Sequence, residues 1–138
     1  MKQEEQINEL NDRVKCYLAP SQIAGVGIFA LRDISKGQKL WLFPNIKLKW
    51  YDLSLTNLNK LFPEVKELIL GQWASIVNGS AFLSPQDSCW FILYCNHSDS
   101  PNYDVKTDLA LKDIKKGEEI TEDYKEMINW EKVYPFLK

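Results

Sequence analysis

The stretch Tyr94-Cys95-Asn96-His97-Ser98-Asp99-Ser100-Pro101-Asn102 holds the only histidine of the chain and follows directly on the apolar run Trp90-Phe91-Ile92-Leu93. Such a run is expected inside the protein, so a cluster of hydrogen-bonding side chains emerges at the end of a buried segment. Burying these groups unpaired costs about 1–3 kcal/mol each, so they require partners from the protein or from a ligand. The residues alone leave that choice open. Ser98 and Asn102 also suit the capping of a turn at Pro101, and a lone histidine beside an apolar run is commonly a satisfied core or turn residue.

With 138 residues, 45% apolar and 26% charged, the chain is expected to form one globular domain. The formal net charge of −2 argues against broad electrostatic binding to nucleic acid, which normally shows as a clustered basic surplus. Met1-Lys2-Gln3-Glu4-Glu5-Gln6 lacks the apolar core of a signal peptide, and no stretch approaches the roughly 20 apolar residues of a membrane span. A cytoplasmic protein is the expectation. Cys16, Cys89 and Cys95 are an odd number without C-x-x-C spacing, so buried free thiols are expected rather than disulfides or a zinc cage.

Working outward, residues 1–13 read as a polar N-terminal segment, with Ile7 and Leu10 the apolar pair of a short, frayed helix. Residues 14–18 read as a strand closed by Pro20. In Ile23-Ala24-Gly25-Val26-Gly27-Ile28 two glycines precede a second strand, where they permit φ > 0 or close approach of the backbone. No third glycine or helical pattern follows, which excludes a dinucleotide fingerprint. Asp33-Ile34-Ser35-Lys36-Gly37-Gln38 recurs as Asp113-Ile114-Lys115-Lys116-Gly117-Glu118, suggesting pseudo-repeated hairpins, and residues 39–43 read as a strand. Pro63, Glu64, the apolar set Phe62, Val65, Leu68 and Leu70, and Gly71 as a stop predict a short helix. Asn78-Gly79 predicts a tight hairpin, and short strands flank Thr107-Asp108. Met127, Trp130, Val133 and Tyr134 predict a last short helix. The sum is many short strands with little helix.

Taken in order, three motifs resemble one family. Gly25-Val26-Gly27 before a strand, Asn96-His97-Ser98 with Pro101-Asn102, and Gly117-Glu118-Glu119-Ile120-Thr121 with Asp123-Tyr124 resemble the SET-domain protein lysine methyltransferases, over roughly residues 14–130. The resemblance implies a mixed, β-rich fold of several short β-sheets spanning residues 14–138, with a helical insert at about 51–73. It implies a C-terminal pseudoknot in which the last segment threads under a loop, with residues 125–138 closing the site. It further implies S-adenosylmethionine as cofactor, held by Ala24, Gly25, Val26 and Gly27, by Asn96 and by His97, with Trp130 stacking on the adenine ahead of Tyr134 or Phe136. Tyr124 takes the position of the catalytic tyrosine, and Tyr94 and Glu122 that of the substrate channel. The implied partner is a lysine-containing protein, with a second copy of the chain as an open alternative and no metal.

The chemistry implied is the methylation of an amine. A free lysine has a pKa of about 10.4, so deprotonation is the difficulty, and an apolar channel beside a positive sulfonium disfavours the ammonium. Tyr124 would orient the amine, leaving catalysis to alignment and electrostatics. The chain departs from the family pattern in several places. Leu93 and Tyr94 replace a common Arg-Phe pair, Asp99 replaces a cysteine, no cysteine follows Tyr124, and Glu122 stands where Phe or Tyr is usual. The departures at Leu93 and Glu122 motivate a competing reading, a catalytically silent module that binds a peptide in the groove beside Tyr124.

Overall fold

Helix α1 (Gln3–Arg13) places Ile7 and Leu10 one turn apart on a single face, with Glu4 and Glu5 in its first turn and Arg13 in its last, each favourable to the helix dipole. The structure, a computed structural model, describes residues 2–42, 51–83 and 91–126. In it α1 is docked rather than frayed. Ile7 and Leu10 are buried with Tyr51, Leu53, Leu58, Val65 and Ile69, and two polar residues fasten the helix sideways. Gln6 accepts from the Asp52 amide at 2.9 Å and Asn11 from the Phe62 amide at 2.8 Å.

Strands β1 (Cys16–Pro20) and β2 (Val26–Ala30) form an antiparallel hairpin in which Gly27 faces Ala19. The first strand therefore begins two residues later than the sequence suggests. Tyr51–Ser54 is a strand, β3, and not part of a helical insert: Tyr51 and Leu53 are buried while Asp52 is exposed, the period of two that a strand requires. It pairs with β5 (Ser80–Leu83), which pairs with β4 (Ser75–Val77) across the expected Asn78-Gly79 turn. Both turn residues have positive φ, 50° and 77°, as that hairpin geometry demands. Helix α2 (Pro63–Leu68) starts on proline as predicted, and then widens into a π turn over Ile69–Trp73 that carries the chain past Gly71.

The strand expected at 39–43 is absent over Lys39–Leu42, apart from a bridge between Lys39 and Leu109. Trp41 has φ 59°, and the amides of Trp41 and Leu42 donate instead to the buried Asp108 carboxylate at 3.1 and 3.2 Å. The Tyr103 hydroxyl donates to the same carboxylate at 2.6 Å. Tyr103 opens β7 (Tyr103–Asp104) and Asp108 directly precedes β8 (Leu109–Ala110), the two strands of a small hairpin. The repeated Asp-Ile turns do not form separate hairpins but clasp each other. Ile34 bridges Ile114, the Lys36 amide donates to Asp113 at 2.8 Å and the Lys116 amide to Asp33 at 2.9 Å, with Gly37 and Gly117 both at φ 86°.

The last described strand, β9 (Glu119–Glu122), lies between β2 and the two-residue β6 (Asn96–His97), antiparallel to the first and parallel to the second. Asn102 ties this strand with both ends of its amide, donating to the Glu119 carbonyl and accepting from the Thr121 amide, each at 2.8 Å. The second core, with Cys16, Ile28, Leu40, Phe91, Cys95, Tyr103 and Ile120, fills the space beneath. Among the described residues no helix is long and apolar enough to cross a membrane. The expected helix around 127–134 lies outside the described residues.

Candidate functional site

The parallel pairing of β6 with β9 sets Asn96 opposite Thr121 and His97 opposite Glu122. Successive side chains of a strand face opposite ways, so Asn96 turns to the Glu119 side of the sheet and His97 to the Glu122 side. On the first side, Asn96 Nδ2 lies 2.9 Å from Glu119 Oε2, 3.1 Å from both Ser21 Oγ and the Ala24 carbonyl, and 3.4 Å from the Val26 carbonyl. Ser21 donates to Glu119 at 2.8 Å and accepts from the Ile23 amide at 2.9 Å. The loop before β2 is thus held by a hub of Ser21, Asn96 and Glu119.

This hub explains both glycines. Gly25 has φ 48° with open space around it, whereas a Cβ on Gly27 would stand 2.5 Å from Glu119 Oε2 and 3.0 Å from the Ser21 Cβ. Gly25 is needed for its backbone and Gly27 for close approach. Gly27→Ala is therefore expected to lower stability by about 1–3 kcal/mol in urea unfolding, the usual cost of overpacking. A loss below half of one kcal/mol would show that Glu119 does not need that space. The sequence did not point to Ser21, and it placed Glu119 in a motif without giving it a role of its own. The available signal was that Glu119 lies in the same motif as Tyr124.

On the other side, the Tyr124 amide donates to His97 Nδ1 at 3.1 Å, which leaves the ring proton on Nε2 to meet Asp99 Oδ1 at 3.0 Å. The His97 hydrogen bond, with Lys125 at 3.7 Å, holds the Asp99 carboxyl below its ordinary range. The Tyr124 ring stands 5.3 Å from the His97 ring, and its hydroxyl donates to the Cys95 carbonyl at 2.8 Å. Histidine 97 is thus a bracket for the turn Tyr124–Glu126. Burial pushes the Cys95 thiol up, and the Cys16 thiol up to about 12, which keeps both protonated and unreactive. Cys89 lies outside the described residues.

Glu122 is 9% exposed, and its Oε2 is buried without a hydrogen-bond partner among the described residues. Burial first, and the neighbouring Glu126 second, push its carboxyl from 4.5 up to about 7. Between those values the native state binds more protons than the unfolded chain, so stability falls as pH rises through this window. The fall is at most about 3 kcal/mol, at 1.36 kcal/mol per unit. Relative to Glu122→Gln, the wild type is expected to lose stability between pH 5 and pH 8 in thermal unfolding. An unchanged difference across that range would contradict the burial of a charge-bearing carboxylate.

The apolar run before the site is not wholly inside. Phe91–Tyr94 forms a 3-10 turn with Phe91 buried, but Leu93 is 74% and Tyr94 44% exposed. A single turn can bury only one side of itself, and Phe91 and Cys95 take the inner positions. The structure brings the Ala24 and Val26 carbonyls of the Gly25–Gly27 loop to Asn96 and sets His97 against both Glu122 and Tyr124, while Tyr94 sits on the exposed rim of that turn. Trp130, Tyr134 and Phe136 lie outside the described residues. Among the described residues no group of three or more His, Cys, Asp or Glu side chains is placed to hold a metal ion.

A family model described as "SET domain" matches residues 25–125. Curated proteins give no match. Solved structures with similar folds include a Plasmodium falciparum protein provisionally described as a histone methyltransferase, 23% identical with a TM-score of 0.37, covering 80% of this chain and 92% of that one. A humanized mutant of the Chaetomium thermophilum Polycomb Repressive Complex 2 bound to an inhibitor is 23% identical with a TM-score of 0.44, covering 87% of this chain and 16% of that one. The Chaetomium thermophilum complex in an autoinhibited state is 20% identical with a TM-score of 0.44, covering 88% and 17%. The chain therefore spans most of the Plasmodium protein and less than a fifth of the Polycomb chains.

Proposed function

The chain belongs to the SET-domain family, and from that premise we propose that it is an S-adenosylmethionine-dependent methyltransferase acting on the side-chain amine of a protein lysine. The observation that carries the reading is the β6–β9 register, which sets the Gly25–Gly27 loop and Asn96 on one side of the sheet and His97 with Tyr124 on the other. S-adenosylmethionine, when bound, supplies an electrophilic methyl group on a sulfonium.

The residues present fit that cofactor chemically. The carbonyls of Ala24 and Val26 and the Glu119 carboxylate crowd around Asn96, and open space borders Gly25. An oxygen-rich loop suits a ligand bearing an ammonium and a sulfonium. Ala24, Gly25, Val26 and Gly27 would hold it through the backbone together with Asn96 and His97, and Trp130 is the proposed aromatic over the adenine.

Tyr124 orients the acceptor. Its hydroxyl is fixed by donation to the Cys95 carbonyl, and a phenol oxygen that donates also accepts, so it meets an N–H of the incoming amine. His97 keeps Tyr124 in place through the backbone and performs no proton transfer. Titration calorimetry with S-adenosylmethionine tests the binding half of this reading. Micromolar affinity is expected, within the usual range for enzyme ligands, and no measurable binding would favour a silent peptide-binding module.

A further inference from the structure

A buried carboxylate oxygen without a donor is costly, and Glu122 Oε2 has none among the described residues. The groups packed around it are turned elsewhere. The Cys95 thiol faces the Ile120 carbonyl at 3.5 Å, the Tyr103 hydroxyl donates to Asp108, and His97 serves the Tyr124 amide and Asp99. Of the nearby cations, Lys125 meets Asp99 and Lys106 meets Glu126, each at 3.7 Å. Among the described residues the charge that acts on Glu122 is that of Glu126, which is repulsive. The protein thus leaves an acceptor of negative charge, 9% exposed, two residues from the phenol that the proposed reaction uses.

We propose that Glu122 is the acceptor for the substrate's ammonium, so that the group this site selects is a primary alkylammonium held between the Glu122 carboxylate and the Tyr124 hydroxyl. The proposal rests on the methyltransferase reading for the identity of that group as lysine. Its physical basis is separate: Glu122 pairs with His97 in the β6–β9 register, and His97 in turn accepts from the Tyr124 amide at 3.1 Å. The Cys95 carbonyl, one residue before β6, receives the Tyr124 hydroxyl at 2.8 Å. A charge-assisted hydrogen bond to an arriving N–H would satisfy the Glu122 oxygen that lacks a partner among the described residues. The raised carboxyl of Glu122 follows from its burial first and from Glu126 second, and an ammonium brought beside it would lower it again.

The test uses the full chain with ¹³C-labelled glutamate carboxyls and n-butylamine as a mimic of the lysine side chain. The Glu122 signal is identified by its loss in Glu122→Gln, and its titration is followed from pH 5 to pH 9. Saturating n-butylamine is expected to lower the Glu122 midpoint by about one unit, a tenfold preference for the carboxylate form. n-Butanol with matched sodium chloride should leave it in place. In parallel, Glu122→Gln is expected to bind n-butylamine at least tenfold more weakly with its n-butanol affinity retained. A midpoint that n-butylamine does not move, or equal amine binding by Glu122→Gln, would overturn the proposal. Neither readout requires cofactor, so loss of the amine effect in a chain that still methylates lysine refutes Glu122 alone. An amine effect in a chain that binds no S-adenosylmethionine refutes the methyltransferase reading alone.

Discussion

Tyr124→Phe is expected to lower kcat for methyl transfer by about 10²- to 10³-fold, the usual consequence of removing one preorganised hydrogen-bond group at a reacting centre. The substitution takes away a single oxygen. The ring remains, so its contact with the His97 ring at 5.3 Å and the Tyr124 amide bond to His97 Nδ1 stay in place. What is lost is the hydroxyl anchored on the Cys95 carbonyl and with it the orientation of the amine. Affinity for S-adenosylmethionine should change by no more than about twofold, because the loop proposed to hold it lies on the other side of β9. Steady-state rates and calorimetry together separate these effects. A variant with nearly normal kcat would remove Tyr124 from the chemical step.

Asn96→Ala should act on the other half of the site. It removes the amide that lies between the Ala24 carbonyl, Ser21 and Glu119, so the loop before β2 loses its tie to β6. A hydrogen bond to a charged group contributes about 1.5–3 kcal/mol, and every 1.4 kcal/mol is tenfold in affinity. Cofactor affinity is therefore expected to fall by about 10- to 100-fold, with a smaller change in kcat at saturation. Asn96→Asp should be worse still, since it sets a second carboxylate against Glu119. Unchanged binding by Asn96→Ala would show that the loop is held without the hub.

The motifs around Gly25, Asn96 and Tyr124 were legible because the residue types are forced by local geometry. A positive φ at Gly25, an amide with several acceptors at Asn96, and a turn ending a strand at Tyr124 each leave a mark in sequence. Long-range geometry left none. Nothing local announces that Asp108 replaces a strand ladder for Trp41 and Leu42, or that Ser21 and Glu119, 98 residues apart, form one hub. The run at Phe91–Tyr94 misled because hydrophobicity alone does not show that a single turn can bury only one of its sides. The Tyr51–Ser54 strand was hidden in a helical window because its partner strand begins only at Ser80. The helix α1 was underrated because its docking depends on the polar ties of Gln6 and Asn11, which no apolar pattern reveals.

The account stands or falls on methyl transfer to lysine. The chain is incubated with S-adenosylmethionine carrying a labelled methyl group and a panel of lysine-rich proteins, core histones among them, and the labelled protein is hydrolysed to its amino acids. The expected result is label recovered as methyl-lysine, lost with Tyr124→Phe and reduced at limiting cofactor with Asn96→Ala. Binding of S-adenosylmethionine with no label on any lysine would contradict it.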